Sequence, residues 1–309
     1  MADSYPATLS TPRANTTMTT DITVTAREID FVTRFTRNWN SLREILGIMN
    51  PVKKTPGTRL TSYNATVSLE DGDVDEGEVV PYSKATVTPA SYDDLKLRKY
   101  AKGITVEDVD QYGALIAVQR TDEAFLNEIQ GVILDDFYDF LQTGNLTGNE
   151  ATFQMAIAMA VGKVVDKFKK LRRNYGNVVV FVNTLDVYRY LGSANITIQT
   201  QNGIEYVKNF LGAQTMILSS EIPEGTVIAT PADNIVLYYT DPADADYRQL
   251  GLEFTVDGET NLIGFHANGN YTTFVGESQA MCGMKLWAEY LDGIAVITIG
   301  ESESESEGD

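Results

Sequence analysis

The sequence predicts an α+β fold organised around one long helix, and three observations carry that expectation. Apolar residues hold a helical stripe from Leu115 through Val118, Leu126, Ile129, Ile133 and Phe137 to Leu141. Polar segments with strand-like alternation precede the stripe. After it, a wholly apolar strand, short helices and further strands follow one another, the order of an α/β or α+β domain.

Composition bounds the rest. The 309 residues suffice for about two ordinary domains, and 43% hydrophobic with 22% charged residues is the make-up of a folded, soluble chain. Lysine and arginine number 24 against 43 acidic residues, a net charge of -19 that argues against general nucleic-acid binding, because a polyanion is repelled over most of the surface. The single cysteine, Cys282, rules out an intramolecular disulfide and sits in an apolar run that predicts a buried small hydrophobe. The first fifteen residues lack the apolar core of a signal peptide, and no apolar stretch reaches the roughly 18 to 20 residues that span a bilayer. A reducing cytoplasm is the expected place of synthesis, with no membrane partner.

Taken in order, residues 1–52 read as an N-terminal arm ending in a short amphipathic helix. Thr, Ser, Ala and Pro dominate to about residue 25, which predicts an extended or disordered segment. Phe31, Phe35, Trp39, Leu42 and Leu46 then recur at helical spacing until Gly47 and Pro51. Residues 53–103 read as an extended β-ribbon, in which "TRLTSYNATVSL", "KATVTP" and "DLKLRKYAKGITV" alternate but leave Val80, Val87 and Leu95 isolated. So little apolar surface cannot make an independent core, so the ribbon is expected to pack on a neighbouring molecule.

Residues 104–148 hold the spine helix, about 40 Å long at 1.5 Å per residue, with a capping pattern at Thr105 and Asp108 before it and Gly131 as a weak point inside it. Residues 149–246 begin with a second helix, apolar first and basic at its end, stopped by Gly176. Its Lys167, Lys169, Lys170, Arg172 and Arg173 suit a helix C-terminus. A buried strand "NVVVFVN", two short helices "LDVYRYLG" and "IEYVKNFLG", the strand "AQTMILS" and two more strands in "EIPEGTVIATPADNIVLYY" complete this part. Residues 247–300 return as strands, "GLEFTVDG" among them, and 301–309, "ESESESEGD", read as a disordered acidic tail.

Chemistry is scarce. Six carboxylates crowd the nine positions from Glu70 to Glu78, and Asp71, Asp73 and Asp75 fit the first ligand positions of a calcium loop. That loop requires Gly at its sixth position and Glu at its twelfth, where this chain has Glu76 and Tyr82. His266 is the only histidine, so neither a zinc site nor a Cys-His pair is supported, and a structural role at a turn is expected. No phosphate-cradling glycine motif is present. Asp135 and Asp136 are adjacent on a helix and point apart. The sequence therefore predicts no catalytic, cofactor-binding or metal site, and no enzyme.

The order of parts is itself informative. "DVDEGEVVPYSKATVTPASYDDLKLRKYAKGITVEDV", "VVVFVNTLDVYRYL" and "FLGAQTMILSSEIPEGTVIATPADNIVLYY" together resemble the extended loop and axial domain of the major capsid proteins of tailed bacteriophages, the Hong Kong 97 capsid fold. The resemblance spans roughly residues 30 to 300. It implies an arm, an extended loop, a spine helix in a peripheral domain and an α/β axial domain. It also implies a structural role: hexamers and pentamers of an icosahedral shell enclosing DNA, located in the virion and assembled in the bacterial host cytoplasm. A separate scaffolding protein and a portal would be its partners. Lys84 lies where some relatives carry a cross-linking lysine, but no partner motif matches. An encapsulin-type nanocompartment shell shares the fold and stays open, as does a monomeric calcium-dependent module. If the ribbon overlies a neighbour, Asp71, Asp73, Asp75, Glu76 and Glu78 are expected to face a basic surface such as Lys167, Lys170, Arg172 and Arg173.

Overall fold

The apolar stripe beginning at Leu115 is one helix, and the elements before and after it form two large sheets around that helix and one two-stranded sheet apart from them. The computed structural model describes residues 26–48, 51–55, 57–75, 77–192, 197–201 and 203–300; the expected arm over residues 1–25, Glu76 and the acidic segment 301–309 lie outside them. In chain order the elements are α1 (Ala26–Leu46), β1 (Val52–Lys53), β2 (Arg59–Ser68), β3 (Lys84–Asp94), β4 (Arg98–Thr105), α2 (Val106–Tyr112), α3 (Ala114–Leu141) and β5 (Leu146–Glu150). Then come α4 (Phe153–Lys170), β6 (Val178–Asn183), α5 (Thr184–Leu191), β7 (Gln199–Gln201), β8 (Ile204–Phe210), β9 (Ala213–Ser219) and β10 (Thr226–Pro231). The chain finishes with β11 (Ile235–Thr240), α6 (Ala245–Gln249), β12 (Ile263–Asn270), β13 (Val275–Ala288) and β14 (Ala295–Ile299). Among the described residues no helix is long and apolar enough to cross a membrane.

The start of α3 is set locally. Thr105 caps α2 by accepting from the Asp108 N–H at 3.2 Å, and Gly113, with φ of 82°, lets the chain break between α2 and α3. From there α3 runs 28 residues without interruption, Gly131 included. Its buried side carries Leu126, Ile129, Ile133, Phe137 and Leu141.

One sheet has five strands in the order β1-β11-β13-β12, with β4 joining β13. It packs against α1 and α3: Phe31 of α1 stacks on Phe265 of β12 at 4.1 Å, and Phe140 of α3 stacks on Trp287 of β13 at 4.1 Å. The other sheet has seven strands in the order β5-β14-β10-β6-β9-β8-β7. Both of its faces are buried at the central strand, which is why β6 reads as an unbroken apolar run. Val179 and Phe181 face the α3 core, while Val178, Val180 and Val182 face Ala156, Ile157, Ala160 and Val164 of α4. Phe137 and Tyr138 meet Phe181 edge-on at 5.7 and 6.0 Å, so α3 ties the two sheets into one core.

Four local expectations need correction. "IEYVKNFLG" is β8 and its turn rather than a helix: Ile204, Val207 and Phe210 mimic helical spacing, but Leu211 and Gly212, at φ of 47° and 86°, make a tight hairpin turn onto β9. "GLEFTVDG" forms only the isolated bridge Thr255 to Phe265. Its Asp257 carboxylate accepts the backbone N–H groups of Thr260 and Asn261, at 3.1 and 2.6 Å, and turns the chain. Helix α4 ends at Lys170, ahead of Gly176, because Arg172 adopts φ of 52° and the N–H groups of Arg172 and Arg173 close back on Lys169 and Phe168. His266 lies within β12 instead of at a turn. The short strand β5, parallel to β14, carried too few apolar residues to be foreseen.

Two substitutions check this account of α3. Phe137→Ala empties a fully packed site and is expected to lower unfolding stability by about 3–5 kcal/mol. Gly131→Ala, where an added Cβ meets nothing within 4 Å, is expected to raise it by about 0.5–1 kcal/mol. Denaturant titration of both variants reads the two signs.

Candidate interaction surface

The ribbon stands on a small foot. Leu60 of β2, Leu95 and Trp287 form a separate buried cluster against Phe140, and ion pairs join Asp93 to Lys285 and Arg98 to Asp136 beside it. Beyond the foot, β2 and β3 pair with each other and with no other strand among the described residues, with a register shift between Ser62 and Tyr63. Ten residues of β2 reach about 33 Å at 3.3 Å per residue.

The far end is a charged bend with apolar flanks. Asp71 accepts the Asp73 N–H at 3.0 Å, the Glu78 N–H donates to the Asp75 carbonyl at 3.0 Å, and Gly77 turns the chain at φ of 93°. The carboxylates of Asp71, Asp73, Asp75 and Glu78 are exposed, and so is Lys84, which pairs in register with Ser68. Leu69, Val79, Val80 and Tyr82 project beside them, Val79 88% and Tyr82 97% exposed.

The basic end of α4 is partly engaged within the chain. Lys167 pairs with Asp292 at 3.2 Å, Lys170 with Asp166 one turn earlier at 2.6 Å, and the Arg173 guanidinium lies over the Tyr290 ring at 4.1 Å. Lys169 and Arg172 are exposed. Among the described residues none of these cations pairs with a ribbon carboxylate of the same chain.

Sequence reasoning missed a second polar region, the outer side of α1. Arg34, Arg37 and Asn38 line one wall of a groove of about 500 Å³ whose other wall is α3, from Glu123 to Leu134. The signal was present: Arg34 and Arg37 lie three residues apart, off the stripe of Phe31, Phe35 and Trp39.

The start of α1 is held by a buried charge network. The Arg27 guanidinium donates to both oxygens of Asp122 on α3, at 2.6 and 2.7 Å, and to the Ser278 hydroxyl at 2.8 Å. Lys102 of β4 pairs with Asp122 at 2.5 Å. Burial pushes the Asp122 carboxyl up, yet its bonds from two cations overcome that and hold it below its ordinary value of 3.8. Lys102, with one carboxylate to set against its burial, is pulled down instead. Next to this network the buried Glu28 accepts the Ala267 N–H at 2.6 Å and the Thr255 hydroxyl at 3.0 Å, and His266 Nδ1 lies 3.6 Å away. Cys282 is fully buried, which pushes its thiol up to about 12, so it is a packing residue.

No protein-family model matches this chain, and no curated protein is similar to it in sequence. Solved structures are similar in fold. The mature capsid of bacteriophage PhiM1 matches 82% of this chain and 86% of its own at 8% identity, with a TM-score of 0.51. The capsid of cyanophage P-SCSP1u matches 84% and 88% at 9% identity, TM-score 0.50. A virus-like particle from Pyrococcus furiosus matches 88% and 100% at 11% identity, TM-score 0.51. The chain has the fold of these phage capsid subunits.

The charge network sets an acid limit on stability. Asp122, Asp241 and Asp257 each have a folded pKa below 3.8. Their contribution is thus present above that value and lost as pH falls from it through the lower folded values. Melting temperature is expected to drop on acidification below about pH 4, and less steeply in Asp122→Asn, which loses one of these titrations and keeps those of Asp241 and Asp257. Calorimetric melts at stepped pH compare the two.

Proposed function

We propose that this chain, with its capsid fold, is the major shell subunit of a tailed-phage-type particle, a structural protein that self-assembles into a closed icosahedral head around double-stranded DNA. The observation that carries the reading is the ribbon, a two-stranded arm whose tip exposes Leu69, Val79, Val80 and Tyr82 and contributes nothing to its own chain's core. Such surface gains stability only against another molecule. A ribbon on one side and its receptor on the other make a heterologous contact, which closes into rings and then shells. On this reading the subunit forms hexamers and pentamers, works with a separate scaffolding protein and a portal, and belongs to the virion after assembly in a bacterial cytoplasm. The net charge of -19 suits a container that encloses DNA without sequence-specific binding.

A second reading keeps the fold and changes the cargo. That reading is an encapsulin-type compartment that encloses a protein; the fold is equally that of the virus-like particle from Pyrococcus furiosus, over the whole of that chain.

Electron microscopy of the purified chain, alone and with its neighbouring genes, tests both readings. Closed shells or rings of five or six are expected, and packaged DNA or packaged protein separates the two. A monomer at every concentration and with every partner would contradict both. Asp73→Asn combined with Asp75→Asn is expected to change the salt dependence of assembly while leaving the monomer's melting temperature unaltered, since exposed charges contribute about 0–1 kcal/mol each.

A further inference from the structure

We infer that the groove between α1 and α3 receives the acidic ribbon tip of a second copy of this chain. The inference rests on the shell reading for its assembled context and adds the receptor to it. In a chain of net charge -19, an exposed arginine outside every ion pair among the described residues is informative. Arg37 is such a residue: it is exposed and makes no ion pair among the described residues. Beside it Arg34 shares its guanidinium with Asp30 at 2.6 Å, and both arginines line the groove.

The groove is two-sided in its chemistry. Its walls carry Arg34, Arg37 and Asn127, and its open apolar lining comes from the half-buried Leu134 of α3 and Ile204 of β8, over the buried Leu126. Glu123 is its one carboxylate. The ribbon has the matching order of groups: carboxylates at Asp71, Asp73 and Asp75, then Glu78, then the exposed Val79 and Val80. Carboxylates over Arg34 and Arg37 would place the two valines along the leucine and isoleucine side chains. Both partners need this pairing in trans, because the tip of each chain's own ribbon is exposed. The basic end of α4 is the weaker receptor, since Lys167, Lys170 and Arg173 already have partners.

Charge exchange in the full chain tests the pairing. Arg34→Glu with Arg37→Glu, and separately Asp73→Lys with Asp75→Lys, are each expected to lower the yield of assembled material about tenfold or more through like-charge contact. The four changes together restore most of it. Independently, Arg37→Cys with Asp75→Cys in one chain is expected to give a ladder of disulfide-linked oligomers on a non-reducing gel, Cys282 being buried. Shells without rescue and without a ladder overturn the groove assignment and leave the shell reading intact. A monomer that gives no ladder overturns both. A chain ending at Gly300 that loses assembly as the arginine variant does, again with no ladder, overturns the ribbon as occupant in favour of the acidic segment 301–309.

Discussion

The contacts that α3 makes at its C-terminal half hold the molecule's two sheets to a common core. Phe137 and Tyr138 reach Phe181 in the seven-stranded sheet, and two residues later Phe140 lies flat on Trp287 in the five-stranded sheet. A helix turns about 100° per residue, so neighbouring positions can serve different partners only where both partners lie close. That is why the aromatic residues cluster in this part of the helix, and why the stripe has to run unbroken from Leu126 to Leu141. Substituting a smaller residue at Phe137 would remove material from a site with no solvent to replace it.

The same helix positions the ribbon, the start of α1 and the groove between them. The ribbon's foot is built on Phe140 and Trp287, so the arm leaves the body at the end of α3. The start of α1 is pinned to the other half of the helix by Arg27 and Asp122, with Lys102 adding a second cation. Burying these charges is tolerable because each finds a charged partner. Between those two anchor points lies the groove with Arg34 and Arg37. Arm, helix and groove are thus placed by one rigid element.

Much of the fold was legible in the sequence, for identifiable reasons. The spine helix, the wholly apolar β6, the capped α2 and the polar ribbon each show a periodicity or a local bond that does not depend on distant residues. The errors fall where it does. In β8 the apolar spacing suits a helix, and pairing with β9 decides otherwise. In "GLEFTVDG" one carboxylate, Asp257, takes the N–H groups that a strand would have used. At the end of α4, Arg172 takes a backbone conformation that composition assigns to glycine, and Gly176 lies against the Asp233 carboxylate instead. The groove on α1 escaped because its walls come from elements about ninety residues apart, Asn38 and Gln130 being in hydrogen-bond contact across it.

By itself the sequence determined that the ribbon could not fold onto its own core. Residues 67 to 89 carry too few apolar side chains, alternating with too many charged ones, to repay the desolvation of burying them. It also determined that the centre of the chain would be one long helix, because a periodic apolar stripe has few other stable uses. Only the tertiary structure decided which cations remain available outside. Lys167, Lys170 and Arg173 stand in the sequence as an open basic run, and folding brings Asp292, Asp166 and Tyr290 to them. Arg37, three residues from Arg34 in the sequence, makes no ion pair among the described residues once the chain is folded. An ion pair depends on distance in space, and that distance is set by the packing of α1 and α3 rather than by position along the chain.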